Sequence, residues 1–147
     1  DQLQLDVYGE VADALHHARL GGIQHLAAAW DFSRAVLSHL ETVWRDPDEG
    51  IWEVRGGRRH FTYSKVMAWV AFDRGIKGVE MFGLPGPVDR WRRVRAEIHE
   101  DVCRRGFNPV LGAFAQAYES DQMDASALLI PQVGSRRILA QIRHGRN

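Results

Sequence analysis

The sequence predicts an all-α fold of stacked antiparallel helical hairpins. Three observations predict it. Apolar residues recur three and four positions apart in four long stretches. Short Gly/Pro turns alternate with long irregular segments, so consecutive helices lie antiparallel and the long loops gather on one side. Runs with strand-like alternation are few, and no fixed-period repeat marks a regular solenoid.

The first helix is predicted over Leu3–Arg19, with Leu5, Tyr8, Val11, Ala12, Leu15 and Ala18 on its apolar face and Gly21-Gly22 stopping it. The second runs over Ile23–Trp44, with Leu26, Trp30, Ser33, Leu37, Leu40 and Trp44 on one face. Asp46-Pro47 ends it, because proline cannot continue the ladder and disfavours helix in the residue before it. Arg45–Tyr63 holds Pro47, Gly50, Gly56 and Gly57 and keeps no period. A loop of that length inside a compact domain is often functional. Ser64 is the expected cap of a third helix whose face is Val66, Trp69, Val70, Asp73, Ile76 and Val79, closed by Gly83-Leu84-Pro85. A fourth follows Pro87 and Asp89 and carries Trp91, Val94, Ile98 and Val102, with Gly106 after its end. Phe107–Ser120 is extended or loop, and Asp124 or Ser126 caps a short fifth helix, Ala125–Ile130. Residues 1–134 form one expected domain. Residues 135–147, with Arg136, Arg137, Arg143 and Arg146 and no acid, form a basic tail.

The 147 residues suffice for one domain, and 45% of them are apolar, enough to bury a core. Nineteen basic residues balance nineteen acidic ones. That balance gives no electrostatic case for nucleic acid or an anionic membrane as partner. No run approaches the ~18 apolar residues of a membrane span. Cys103 has no second cysteine to pair with, which suits a reducing, cytoplasmic compartment. A start at Asp1, already within a periodic pattern, is expected of an interior piece of a longer protein.

Several chemical motifs fail on spacing. From Asp46, the EF-hand pattern needs glycine at the sixth position and glutamate at the twelfth, where this chain has Ile51 and Gly57. The seven histidines form no HExxH, and no cysteine pair exists for zinc. Arg55-Gly56-Gly57-Arg58-Arg59 lacks the Walker ending, and no GxSxG elbow occurs.

What remains is Asp48-Glu49-Gly50-Ile51-Trp52-Glu53-Val54-Arg55. Glu53 sits between apolar residues that are costly to expose on a loop. A carboxyl in such surroundings keeps its proton to higher pH and can donate it near neutrality. Trp52 offers a flat face on which a sugar ring can lie, and Arg55, Arg58, Arg59 and His60 can bind hydroxyls or carboxylates. From spacing alone a plainer reading stands beside this one: Ile51 and Trp52 plug the core and Glu53 pairs with an arginine.

Asp48–Arg55 resembles the general-acid loop of family 15 glycoside hydrolases, the bacterial glucoamylase, glucodextranase and trehalase group. Three further stretches resemble that family in the same order: Gln4–Glu10, His60–Trp69 and Ser120–Leu129. The similarity covers residues 2–134. It implies part of a ring of six helical hairpins, an incomplete (α/α)6 barrel. It implies hydrolysis of an α-glucosidic bond with inversion: one carboxylic acid protonates the leaving oxygen and a second carboxylate activates water from the opposite face. Glu53 maps onto the acid and Trp52 onto the wall of the glucose subsite. Asp6, Tyr8, Lys65 and Asp124 fall near the site as substrate contacts. For these four, a surface charge or a packed aromatic is the plain alternative.

The resemblance implies a small α-glucoside or oligosaccharide as substrate and no metal or cofactor. Two parts of the family's pattern lie outside this sequence, an Arg-Asp segment before it and a general-base glutamate after it. Little hydrolysis is therefore expected of this polypeptide alone, and uncovered helix faces are expected to favour self-association. The alternative is a non-catalytic helical domain that binds a sugar or a protein.

Overall fold

The computed structural model describes residues 3–23, 27–52 and 56–133. Four α-helices dominate: α1 (Leu5–Leu20), α2 (Ala27–Val43), α3 (Thr62–Phe82) and α4 (Val88–Asp101). A wider π-type turn, Val102–Gly106, extends α4. It leads into two short antiparallel strands, β1 (Phe107–Asn108) and β2 (Ala113–Phe114), with Phe107 opposite Phe114. A 3₁₀ turn, Ala125–Leu129, follows, and Asp124 caps it as expected. The fold is therefore essentially helical. The tail 135–147 lies outside the described residues, as do His25 and Leu26. No helix among the described residues is long and apolar enough to cross a membrane.

Helix α3 is the hub, packed chiefly against α1 and α4 and less extensively against α2. Every residue from Thr62 to Ile76 is buried, which a helix tolerates only when neighbours cover it all round. Trp30, Leu37 and Leu40 of α2, Trp44 just after it, and Trp91, Val94, Ile98 and Val102 of the α4 arm join its core, on the faces that periodicity assigns.

Helix α1 departs from expectation. Its buried residues are Leu5, Asp6, Gly9 and His16, while Val11 is exposed. The cause is a close crossing. A Cβ on Gly9 would stand 2.2 Å from the Met67 carbonyl oxygen, so only glycine lets α1 lie this near α3. That contact rotates the apolar stripe aside, where Val11 and Leu15 face Phe32 and Val36 of α2 across a groove.

Ser64 also departs from expectation. It lies inside the first turn of α3, fully buried, and the helix starts two residues earlier after Phe61. Phe61 is held extended by an antiparallel bridge to Ala117, which fixes where helical geometry can begin. At the other end Gly83 adopts φ 66°, its N–H donates to the Val79 carbonyl, and the Leu84 N–H donates to the Gly78 carbonyl.

The end of α1, the start of α2 and the short α3–α4 turn lie at one end. The start of α1, the end of α2, the start of α3 and the end of α4 meet at the other, where segments 44–61 and 107–133 gather. A buried ionic network ties the helices between. Arg74 binds Asp13 and Asp73 at 2.7 and 2.6 Å, and Arg95 and Lys77 also reach Asp73.

Candidate active site

The loop between α2 and α3 is fixed at its root by Asp48. Its backbone pairs with Arg59 in both directions, at 2.9 and 3.0 Å, which brings the two ends of the loop together. Its carboxylate Oδ2 accepts the Leu5 N–H at 3.0 Å. Helix α1 has no cap from its own Gln4, so a loop residue 43 positions away supplies the missing acceptor. Glu49 N–H donates to the Leu3 carbonyl, and Gln4 Nε2 to the Gly50 carbonyl.

From below, Lys65 anchors the same loop. Its side chain is 1% exposed, and Nζ donates to the carbonyls of Trp44, at 2.6 Å, and Asp46. Burial pulls its pKa down to about 8, against the pull of Asp48, Asp101 and Asp46. Burial raises the Asp48 carboxyl, opposed by the Ser64 hydroxyl, the Leu5 N–H and Lys65. Asp6, 3% exposed, is pushed up to about 6 by burial and then by Asp48 and Glu10, while N–H groups at the start of α1 act the other way. Its Oδ1 has no hydrogen-bond partner among the described residues. Burial and the nearby carboxylates Glu10, Asp6 and Asp13 push Tyr63 up to about 12.

From the side, Trp52 reaches segment 120–130. Its indole Nε1 stands 3.0 Å from each oxygen of Asp124. The Trp52 ring is nevertheless 57% exposed, while Ile51 beside it packs on the core. Glu49 and Arg58 close the loop with an ion pair at 2.9 Å. His60 stacks on Tyr118 at 5.8 Å, and the Tyr118 hydroxyl donates to Asp101.

Of the residues singled out from the sequence, the fold brings Trp52 and Asp124 into contact. It places Asp6 and Lys65 with Asp48 in a buried polar cluster beneath the loop, closed off from solvent. Tyr8 stands apart on α1, half-buried, its ring edge-on to His39 of α2 at 5.8 Å. Glu53, Val54 and Arg55 lie outside the described residues. Asp48 and Tyr63 are the site-forming groups that sequence reasoning missed. Nothing local marks either, because their partners lie on α1.

A solvent-facing tryptophan, held by a carboxylate and followed directly by Glu53, is an arrangement suited to a sugar. The profile of glycosyl hydrolases family 15 matches residues 1–138. The chain belongs to that family. It is 39% identical over 134 residues to a trehalase of Thermoplasma acidophilum, covering 91% of this chain and 23% of that protein. It is 39% identical over 129 residues to a trehalase of Mycolicibacterium smegmatis, covering 88% and 19%. It is 30% identical over 132 residues to "Trehalase 2" of Sulfolobus acidocaldarius, covering 88% and 23%. The chain thus spans about a fifth of the length of these family 15 relatives. No solved structure matches it.

Proposed function

We propose that this chain carries the acid half of an inverting α-glucosidase site, with trehalose as substrate. The observation that carries the reading is the braced loop that presents Trp52 to solvent immediately before Glu53. Family membership and the trehalase names of the relatives support it. Residues 1–134 act as the domain, two hairpins of an (α/α)6 ring whose loop end faces the sugar.

In this reading Glu53 gives its proton to the glycosidic oxygen as the C1–O bond breaks, so that neutral glucose leaves. Water attacks C1 from the opposite face and yields its proton to a second carboxylate, which inverts the anomeric centre. Trp52 covers one face of the departing ring. Asp6 and Lys65, closed beneath the loop, set its height rather than touch sugar. The second carboxylate is assigned to no residue of this chain.

The test is glucose release from trehalose by the enzyme that carries this sequence, compared with its Glu53→Gln variant. A loss of about 10³-fold is expected on removing the acid. Release that survives Glu53→Gln removes Glu53 from the reaction, and trehalose left intact by the unsubstituted enzyme removes the substrate assignment.

A further inference from the structure

Both oxygens of Asp124 are already engaged. Oδ1 accepts the Ser126 N–H at 3.3 Å and Oδ2 the Ser126 hydroxyl at 2.9 Å, while each stands 3.0 Å from Trp52 Nε1. A carboxylate offers about four acceptor positions, so little is left for a sugar hydroxyl. The residue is itself held firmly. Ser126 is buried, Ile130 a turn later is in the core, and the Gln122 carbonyl just before it accepts the Gln116 N–H at 2.8 Å.

Trp52 has one polar atom, and that atom is fixed. An indole on a loop otherwise turns about two side-chain torsions. Tied to two oxygens in one plane, it keeps a single orientation with more than half of its surface open to solvent. An exposed apolar ring held still is useful only if something flat and weakly polar lies on it, as the C–H face of a pyranose does.

We infer that Asp124 is a positioning residue of the sugar site, which locks the Trp52 ring as a fixed platform for a pyranose. This rests on the α-glucoside reading above. Asp124 acts through Trp52 and touches no substrate atom.

The experiment uses the ¹⁵N-labelled enzyme that carries this sequence, in a Glu53→Gln background that leaves trehalose intact, with trehalose as probe. The Trp52 indole N–H resonance, identified with Trp52→Phe, is followed in Asp124→Ala and Asp124→Asn, and trehalose affinity is measured by calorimetry. Asp124→Ala is expected to shift that resonance and weaken trehalose about tenfold, the scale of one lost charge-assisted hydrogen bond. Asp124→Asn keeps one oxygen for Trp52 and for the cap, so it should recover part of the affinity and guards against a variant that fails to fold. In a Trp52→Phe background, Asp124→Ala should weaken binding no further. Equal weakening with and without Trp52 overturns the inference, because Asp124 would then act on the sugar or the fold directly. An unmoved indole resonance in Asp124→Ala overturns it too. Calorimetry in which the Glu53→Gln enzyme with Trp52 and Asp124 intact binds no trehalose overturns the α-glucoside reading and the platform with it, while the resonance still reports the Trp52–Asp124 bond by itself.

Discussion

At the short-turn end of the molecule, Trp30 and Trp91 meet edge to face at 6.1 Å, and each lies on a glycine of another segment, Gly78 and Gly86. Trp30 Nε1 finds the Pro85 carbonyl at 2.8 Å, so even its polar atom is satisfied. At the loop end, Asp6, Asp48 and Lys65 are all buried, and Asp6 keeps an oxygen with no hydrogen-bond partner among the described residues. One end uses apolar area and close contact. The other accepts desolvated charge, which opposes folding unless its bonds are complete. A scaffold that only needed to be stable would use the first chemistry at both ends, so the loop end holds a particular backbone shape at the expense of stability.

Trp91→Ala should produce the largest effect on this contrast. It empties a site that is 2% exposed and strips cover from Gly75 and Gly86. A loss of about 3–5 kcal/mol of global stability is expected, read from denaturant melts. Lys65→Met should come next and act differently. The carbonyls of Trp44 and Asp46 lose their donor, at about 2–3 kcal/mol. Most of that should appear as opening of segment 44–61 in hydrogen exchange, with the short-turn end still protected. Exchange that rises uniformly along the chain in Lys65→Met would erase the distinction between the ends.

The smallest effect separates the ends by pH. The folded Asp6 carboxyl holds its proton to about pH 6 and the unfolded one only to 3.8. Folding takes up a proton between those values, and this contribution is lost as pH rises through 6. His16, buried against Phe82 towards the short-turn end, is pulled down to about 4 by burial and then by Arg74 and Lys77. Its contribution is complete above pH 6.5 and is lost as pH falls towards 4. Asp6→Asn should therefore gain on the order of 2 kcal/mol at pH 7.5 and nothing at pH 3.5. His16→Gln should remove an acid-side loss between pH 6.5 and 4. Melts of both variants across pH 3.5–8 check the opposite slopes, and parallel slopes would contradict the burial of one group.

The helices were legible because their signal is local. Trp91, Val94, Ile98 and Val102 declare a face by spacing alone, and that face is the buried one. Asp124, one of two caps that the sequence offered, was legible for the same reason, its partner being two residues away. The α1 face was legible only in part: Leu5 lies in the core and Tyr8 and Ala12 pack on it, but apolar spacing carries no record of where a glycine lets two helices touch, and Gly9 moved the contact away from Val11. The Ser64 cap failed because Ala117, far along the chain, decides where α3 begins. The loop's anchors were illegible for a related reason. Burial raises Asp6 and Asp48, and that burial exists only once α1, the loop and α3 have come together.

The bond from Leu5 to Asp48 has an evolutionary consequence. A helix that finds its first acceptor inside itself can be exchanged or regrown without disturbing distant segments. Helix α1 cannot, because its opening amide is completed by the loop that leads to Glu53. The two segments form one inheritable part. A graft that moves 48–59 into another scaffold must bring the first turn of α1 with it, or rebuild an acceptor for that turn and a new root for the loop.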